Sequence, residues 1–262
     1  MKMKATKILG VLGLMSGLML GSQAALAAGG DVHLKQEQWS FDGYTGSYDK
    51  AALKRGLSVY RNVCASCHSL ELVAFRNLSD KGGLELSQEE MKAIAAEYEF
   101  TRINDDGDEE MRPGIPPDYF PNPYANKIQA EVFNGGAIPP DLSLMAKARS
   151  DGPNYLFSLL SGYEEEVPHD VEVGDGLSYN PYFPGGQLAM AQPLYGDDVD
   201  YADGTEATIE QQSRDVAHFL MWAAEPHLEA RKTGGRKALI FMFILTGLLY
   251  MCYRVVWRDV DH

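Results

Sequence analysis

Cys64, Cys67 and His68 crowd into five residues, Cys64-Ala65-Ser66-Cys67-His68. C-x-x-C-H is the spacing of c-type haem attachment. Each thiol adds to one vinyl group, the two intervening residues match the vinyl separation, and the adjacent histidine becomes the proximal iron ligand. A zinc site needs a second Cys/His pair at ligand spacing, and the remaining cysteine, Cys252, lies far away in an apolar C-terminal stretch. A thioredoxin-type pair belongs after a strand. Here residues 48–63 instead carry helical periodicity, with Ala52, Leu53, Gly56, Leu57 and Tyr60 on one face. One covalent haem c, held through Cys64 and Cys67 with His68 on the iron, is therefore expected.

The sixth iron position separates electron transfer from ligand chemistry, since a methionine closes the site and raises the potential. Outside the two apolar ends the methionines are Met91, Met111, Met145, Met190 and Met221. Met91, Met145 and Met221 lie in helix-like stretches, where methionine is ordinary core filling. Met190 lies between Gly185-Gly186 and Pro193, in a loop free of helix constraints. His169 and His218 are rival ligands, and spacing alone leaves the choice open.

Helices are predicted at 50–63, 87–98, 125–133, 153–161 and 207–231, separated by long Pro/Gly/Asp-rich loops at 101–124 and 162–206. Loops of that length normally count against a compact domain, but a porphyrin gives them an apolar surface to wrap. The expected fold is mainly α, of the class I cytochrome c type with long loop insertions.

Both ends read as membrane-directed. Lys2, Lys4 and Lys7 precede an apolar run, Ile8 to Leu20, and Ala25-Leu26-Ala27 supplies a small-x-small cleavage site, so residues 1–27 are expected to be a signal peptide. Residues 238–257 are apolar except for Arg254, and at 1.5 Å per residue they reach about 30 Å, a bilayer's hydrocarbon thickness. Tyr250, Tyr253 and Trp257 gather towards one end, as interfacial aromatics do. The order of the two segments places a haem domain (28–231) in the periplasm of a bacterial inner membrane and a tail (258–262) in the cytoplasm. The basic cluster Arg231, Lys232, Arg236 and Lys237 then shares the side of the body, against a simple positive-inside count.

The 262 residues carry 37 acidic and 23 basic side chains, a formal net charge of -14, which argues against a nucleic-acid partner. Three acidic runs, 105–110, 164–166 and 197–200, are either solvated loops or steering surfaces for a basic carrier.

These features together resemble the cytochrome c1 family, the haem c subunits of cytochrome bc1 complexes (quinol–cytochrome c reductase). The resemblance rests on Cys64-Ala-Ser-Cys67-His68-Ser with Val73-Ala-Phe-Arg76-Asn-Leu, then Met111-Arg-Pro-Gly and Asp118-Tyr-Phe-Pro-Asn-Pro-Tyr124. It continues through Asn134-Gly-Gly-Ala-Ile-Pro-Pro-Asp-Leu-Ser143, Tyr155-Leu-Phe-Ser-Leu-Leu160 and Ala189-Met190-Ala to Asp215–Pro226. Only the haem motif is specific alone; the shared order and spacing carry the rest. The resemblance implies Met190 as sixth ligand, with Asn134, Pro140 and Arg149 lining the haem, Arg149 on a propionate, and Tyr155 nearby. It implies electrons arriving from a Rieske iron–sulfur protein and leaving to a soluble c-type cytochrome, beside a cytochrome b subunit. No bond is made or broken, so the chain alone is not a catalyst. Some bacterial relatives brace the methionine loop with a disulfide for which this chain has no cysteines. The alternatives are a stand-alone membrane-anchored shuttle and, from another class, a haem peroxidase or gas sensor with an open sixth position.

Overall fold

A computed structural model describes residues 32–163, 167–169 and 171–259. The expected signal peptide and the acidic run 164–166 lie outside the described residues, as does most of the tail.

Helix α1 (Lys50–Asn62) starts at Asp49, whose carboxylate accepts from the Ala51 and Ala52 amides. This satisfies donors that a helix start leaves unpaired. Its buried face carries Ala52, Leu53, Gly56, Leu57 and Tyr60, the face read from the periodicity. A single 3₁₀ turn, Cys64–Ser66, continues directly from it, and another 3₁₀ segment spans Phe75–Ser79. Helix α2 (Gln88–Ala96) opens with a capping box between Ser87 and Glu90. Helices α3 (Lys127–Phe133), α4 (Met145–Ala148) and α5 (Gly152–Leu160) follow. Helix α6 (Ile209–Ala224), capped by Thr208, packs on α1, α4 and α5.

The crossing of α1 and α6 organises the core. A Cβ on Gly56 would lie 2.1 Å from the Asp215 carbonyl oxygen and 2.6 Å from the Phe219 Cβ, so only glycine allows this approach. Beside it the Arg55 guanidinium grips Asp215 through two bonds, Nε–Oδ2 2.8 Å and Nη2–Oδ1 3.0 Å. The Tyr60 and Phe219 rings meet at 5.8 Å.

The structure departs from the sequence reading in three places. The helix expected at 207–231 is two helices. Pro226 cannot continue a helix and disfavours helical backbone at the residue before it, and Glu225 accordingly turns to φ -146°, ψ 67°. The chain restarts as α7 (Leu228–Val256), one 29-residue helix that includes nearly all of the expected anchor. Second, the loop expected at 101–124 contains a hairpin, β1 (Glu99–Ile103) against β2 (Glu109–Pro113), antiparallel with Thr101 opposite Met111. Its turn is tied by Asn104 Oδ1, which accepts from the amides of Asp106 (3.0 Å) and Asp108 (2.9 Å), with Gly107 at φ +88°. Third, the helix-like stretch around Met145 is a helix of its own, α4, outside the five expected ranges, and the loop expected at 162–206 holds a two-residue pairing of β3 (Ser178–Tyr179) with β4 (Gln187–Leu188).

Helix α7 is long and apolar enough to cross a membrane. Its first turns are fastened to the body: Leu228 is buried, Glu229 Oε1 accepts from the Tyr48 amide at 2.9 Å, and the Lys232 ammonium donates to the carbonyls of Phe41 and Gly46.

Candidate haem site

The C-x-x-C-H segment is one tight turn. The amides of Cys67 and His68 both donate to the Cys64 carbonyl, at 3.1 and 2.8 Å, which stacks the two cysteines and the histidine at the C-terminal end of α1. Both thiols are free of any disulfide and partly buried. Burial, with Cys67 adding to it, pushes the Cys64 thiol up to about 12, so it stays neutral. A thiol–disulfide catalyst needs the opposite, an activated thiolate. No group of three or more metal-ligating side chains exists among the described residues, which also leaves zinc without a ligand set.

His68 is held by its inner nitrogen: Nδ1 lies 2.8 Å from the Pro140 carbonyl oxygen. With Nδ1 as donor, Nε2 carries the lone pair and is the atom able to coordinate iron. Burial lowers the imidazole pKa against the opposing effects of the Pro140 carbonyl and Asp141, favouring the neutral ligand form. The carbonyl of His68 itself accepts from the Tyr60 hydroxyl at 3.2 Å.

The other expected residues fall into two groups. Asn134 caps α3, with Nδ2 donating to the Ala130 carbonyl at 2.6 Å. Its Oδ1 accepts from Tyr124, whose hydroxyl also interacts with the Cys67 thiol. Asn134 and Pro140 therefore stand on the Cys67–His68 side. Met190 is partly buried against the core, and its carbonyl accepts from the Tyr163 hydroxyl at 3.0 Å. Burial, reinforced by neighbouring Tyr155, raises the Tyr163 phenol pKa, so this donor keeps its proton at neutral pH. Tyr155 and Met190 make the second group. No hydrogen bond joins the two groups among the described residues. Arg149 ends α4 on the surface, its one hydrogen bond a 3.3 Å contact to the adjacent Ala148 carbonyl, with no carboxylate partner among the described residues.

The rival ligands have other positions. His218 is buried in α6, its ring edge-on to Trp39, Phe41 and Tyr48. Its Nε2 accepts from the Asp49 amide at 3.2 Å, and burial lowers its pKa to about 4. His169 is exposed in the long loop. Met91 is core, while Met145 and Met221 are partly buried in helices. Met111 is exposed on β2.

Several functional side chains escaped the sequence reading. Asp141, Ser69 and Ser143 knit the Pro140 segment to the residues following His68, and Tyr163 holds the methionine loop. Asn180, buried behind that loop, donates to the Leu159 carbonyl at 2.8 Å and accepts from the Tyr182 amide at 3.0 Å. Polar anchors thus do work for which this chain has no disulfide. Tyr163 and Asn180 have no motif spacing to flag them; Asp141 and Ser143 do fall inside the quoted Asn134–Ser143 run.

The donor chemistry fits haem c: two thiols free of any disulfide, an imidazole held through Nδ1, a thioether, and a guanidinium with no carboxylate partner among the described residues. Ile138 and Leu144, on the segment that carries Pro140, are 50% and 51% exposed, apolar surface suited to a porphyrin.

Comparison with known proteins agrees. The chain is 45% identical over 262 residues to cytochrome b/c1 of Bradyrhizobium diazoefficiens, covering 92% of this chain but 38% of that longer protein. It is 44% identical over 255 residues to cytochrome c1 of Rhodospirillum rubrum, covering 91% and 93% of the two chains. With the mitochondrial cytochrome c1 haem protein of Neurospora crassa it shares 47% over 227 residues, 86% of this chain and 68% of the other. The Cytochrome C1 family matches residues 39–260, and the chain therefore belongs to this family of haem c electron-transfer proteins.

Proposed function

We propose that the chain is the membrane-anchored electron-transfer subunit of a cytochrome bc1 complex, with Cys64 and Cys67 as thioether attachment points and His68 and Met190 as axial ligands. In this reading a bound haem c supplies a one-electron iron couple at high potential. Asn134, Pro140, Arg149 and Tyr155 line it, and Arg149 meets a propionate with a charge-assisted pair. A Rieske iron–sulfur protein is the donor, a soluble c-type cytochrome the acceptor, and a cytochrome b subunit the neighbour of α7.

The observation that carries the reading is the held histidine: Nδ1 tied to Pro140 at 2.8 Å beside two thiols free of any disulfide. The protein's part is fixed geometry. His68 is oriented by a backbone carbonyl, Met190 is steadied by Tyr163, and both are braced against the α1–α6 core. Neither arrangement needs to move when one electron arrives or leaves.

Residues 1–27 are a signal peptide and 28–231 a periplasmic domain in the same proposal, with the body outside a bacterial inner membrane and the tail in the cytoplasm. The basic cluster that opposes a positive-inside count has structural employment. Arg231 pairs with Glu225, Lys232 binds the carbonyls of Phe41 and Gly46, and Arg236 donates to the Tyr44 carbonyl at 3.1 Å. These contacts hold three of the four charges against the domain, which supports that orientation. The acidic runs differ among themselves: Asp198 accepts from the Tyr195 amide (2.8 Å) and Gln212 (3.1 Å) and is structural, whereas the 105–110 run lies in the exposed hairpin turn and β2.

The test is a potentiometric titration of membranes carrying the natural protein or Met190→Leu. A large fall in potential, with carbon monoxide binding gained, is expected. An unchanged potential with closed coordination removes Met190 from the iron.

A further inference from the structure

We infer that Asp141 is a positioning residue for His68, fixing the imidazole's hydrogen bond to Pro140 and thereby its donor strength toward iron. The inference rests on His68 being the proximal ligand. The acceptor for Nδ1 is the carbonyl of Pro140, a residue 72 positions away in the chain, exposed, and without an N–H of its own to anchor it. Its place is set by the next residue. Asp141 Oδ2 accepts from the Ser69 hydroxyl (2.9 Å) and the Glu71 amide (2.8 Å), while Oδ1 accepts from the Ser143 amide (2.9 Å).

Ser69 directly follows the donor and Asp141 directly follows the acceptor, so the carboxylate ties together the two residues adjoining the His68–Pro140 bond. Two further bonds support the join: the Leu142 amide to the Ser69 carbonyl (2.9 Å) and the Leu72 amide to the Ser143 hydroxyl (3.1 Å). Ser69 and Ser143 are buried, which holds these bonds away from competing water. Outer partners of a ligating histidine fix its ring and raise its basicity, and their loss typically costs about 10–100-fold in metal affinity or activity.

Asp141→Asn cannot accept at both carboxylate oxygens, so the Pro140 carbonyl is freed to drift. A weakened Nδ1–H···O bond leaves a less electron-rich imidazole, which stabilises the oxidised iron less, and the potential rises. Loss of a negative charge raises it too, so a second variant is needed. Ser69→Ala removes one bond to Asp141 and keeps the charge.

The experiment uses the full chain in detergent, reduced and labelled with ¹⁵N-histidine. The hydrogen exchange of the His68 Nδ1 proton is followed by NMR, with the potential measured in parallel. Expected are faster exchange in Asp141→Asn, a smaller acceleration in Ser69→Ala, and a raised potential in both. Unchanged exchange in both variants, or a potential that rises only in Asp141→Asn, overturns the inference and leaves Asp141 acting through charge alone. Should Asp141→Asn fail to assemble, unchanged exchange in Ser69→Ala is enough to overturn it. Absence from the natural protein of a histidine resonance shifted by the haem sinks the ligand assignment itself, a separate failure.

Discussion

Replacing Gly56 by alanine sets two opposed effects against each other at the α1–α6 crossing. Glycine in a helix interior costs about 1 kcal/mol relative to alanine, so propensity alone predicts a stabilised protein. The new Cβ, however, would sit 2.1 Å from the Asp215 carbonyl oxygen and 2.6 Å from the Phe219 Cβ. Neither is the movable end of a side chain, so the helices must separate by roughly 1 Å, a gap that forfeits a quarter to a half of each dispersion contact across it. Overpacking of this kind costs about 1–3 kcal/mol, and backbone as the obstacle places Gly56→Ala at the upper end. The net expectation is destabilisation by about 2 kcal/mol, a fall in Tm of about 4–8 °C for a chain of this size. Thermal unfolding of the full chain in mild detergent, followed by circular dichroism, reads it. A Tm equal to or above that of the natural protein would show that the crossing does not need glycine and would refute the packing argument.

Other substitutions probe the same body. Asp215 is fully buried and pairs with Arg55, 15% exposed; Asp215→Ala leaves that guanidinium Asp203 as its carboxylate partner among the described residues, on the more exposed side, and breaking such a pair costs about 3–5 kcal/mol. Denaturant titration checks this, with Arg55→Met/Asp215→Leu together expected to lose much less. His218 supplies a pH dependence. The unfolded chain takes up a proton near pH 6.5 that the folded chain refuses until about pH 4, so the contribution is full above pH 6.5 and is lost as pH falls towards 4. The span amounts to about 3 kcal/mol. Comparing denaturation midpoints of the natural protein and His218→Phe at pH 7 and pH 4.5 should show a smaller drop in the variant; equal drops would place the acid sensitivity elsewhere.

Much of the frame was legible because local rules agree with the tertiary outcome. The apolar face of α1 follows helical period and meets α6 as the pattern requires. The helix expected at 87–98 is α2, and the exposed apolar surface of α7 matches a membrane span. The misreadings have local causes. Pro226 lies inside an apolar periodic stretch that reads as one helix, and it divides α6 from α7. The hairpin of β1 and β2 shows little hydrophobic alternation because most of its positions are exposed, leaving the Asn104-Asp-Asp-Gly107-Asp108 turn as its only signal.

The haem motif belongs to the sequence alone, since attachment depends on the separation of two cysteines and a histidine along five residues. Which carbonyl holds His68, and what holds that carbonyl, belongs to the tertiary structure. Pro140 is 72 residues away, and no spacing rule operates over that distance. The same division separates His218 from the iron: a histidine in a sequence is a candidate ligand, and only packing against Trp39, Phe41 and Tyr48, with its Nε2 taken by the Asp49 amide, makes it a core residue. Covalent spacing is written along the chain, whereas orientation and pKa arise from neighbours that folding brings together.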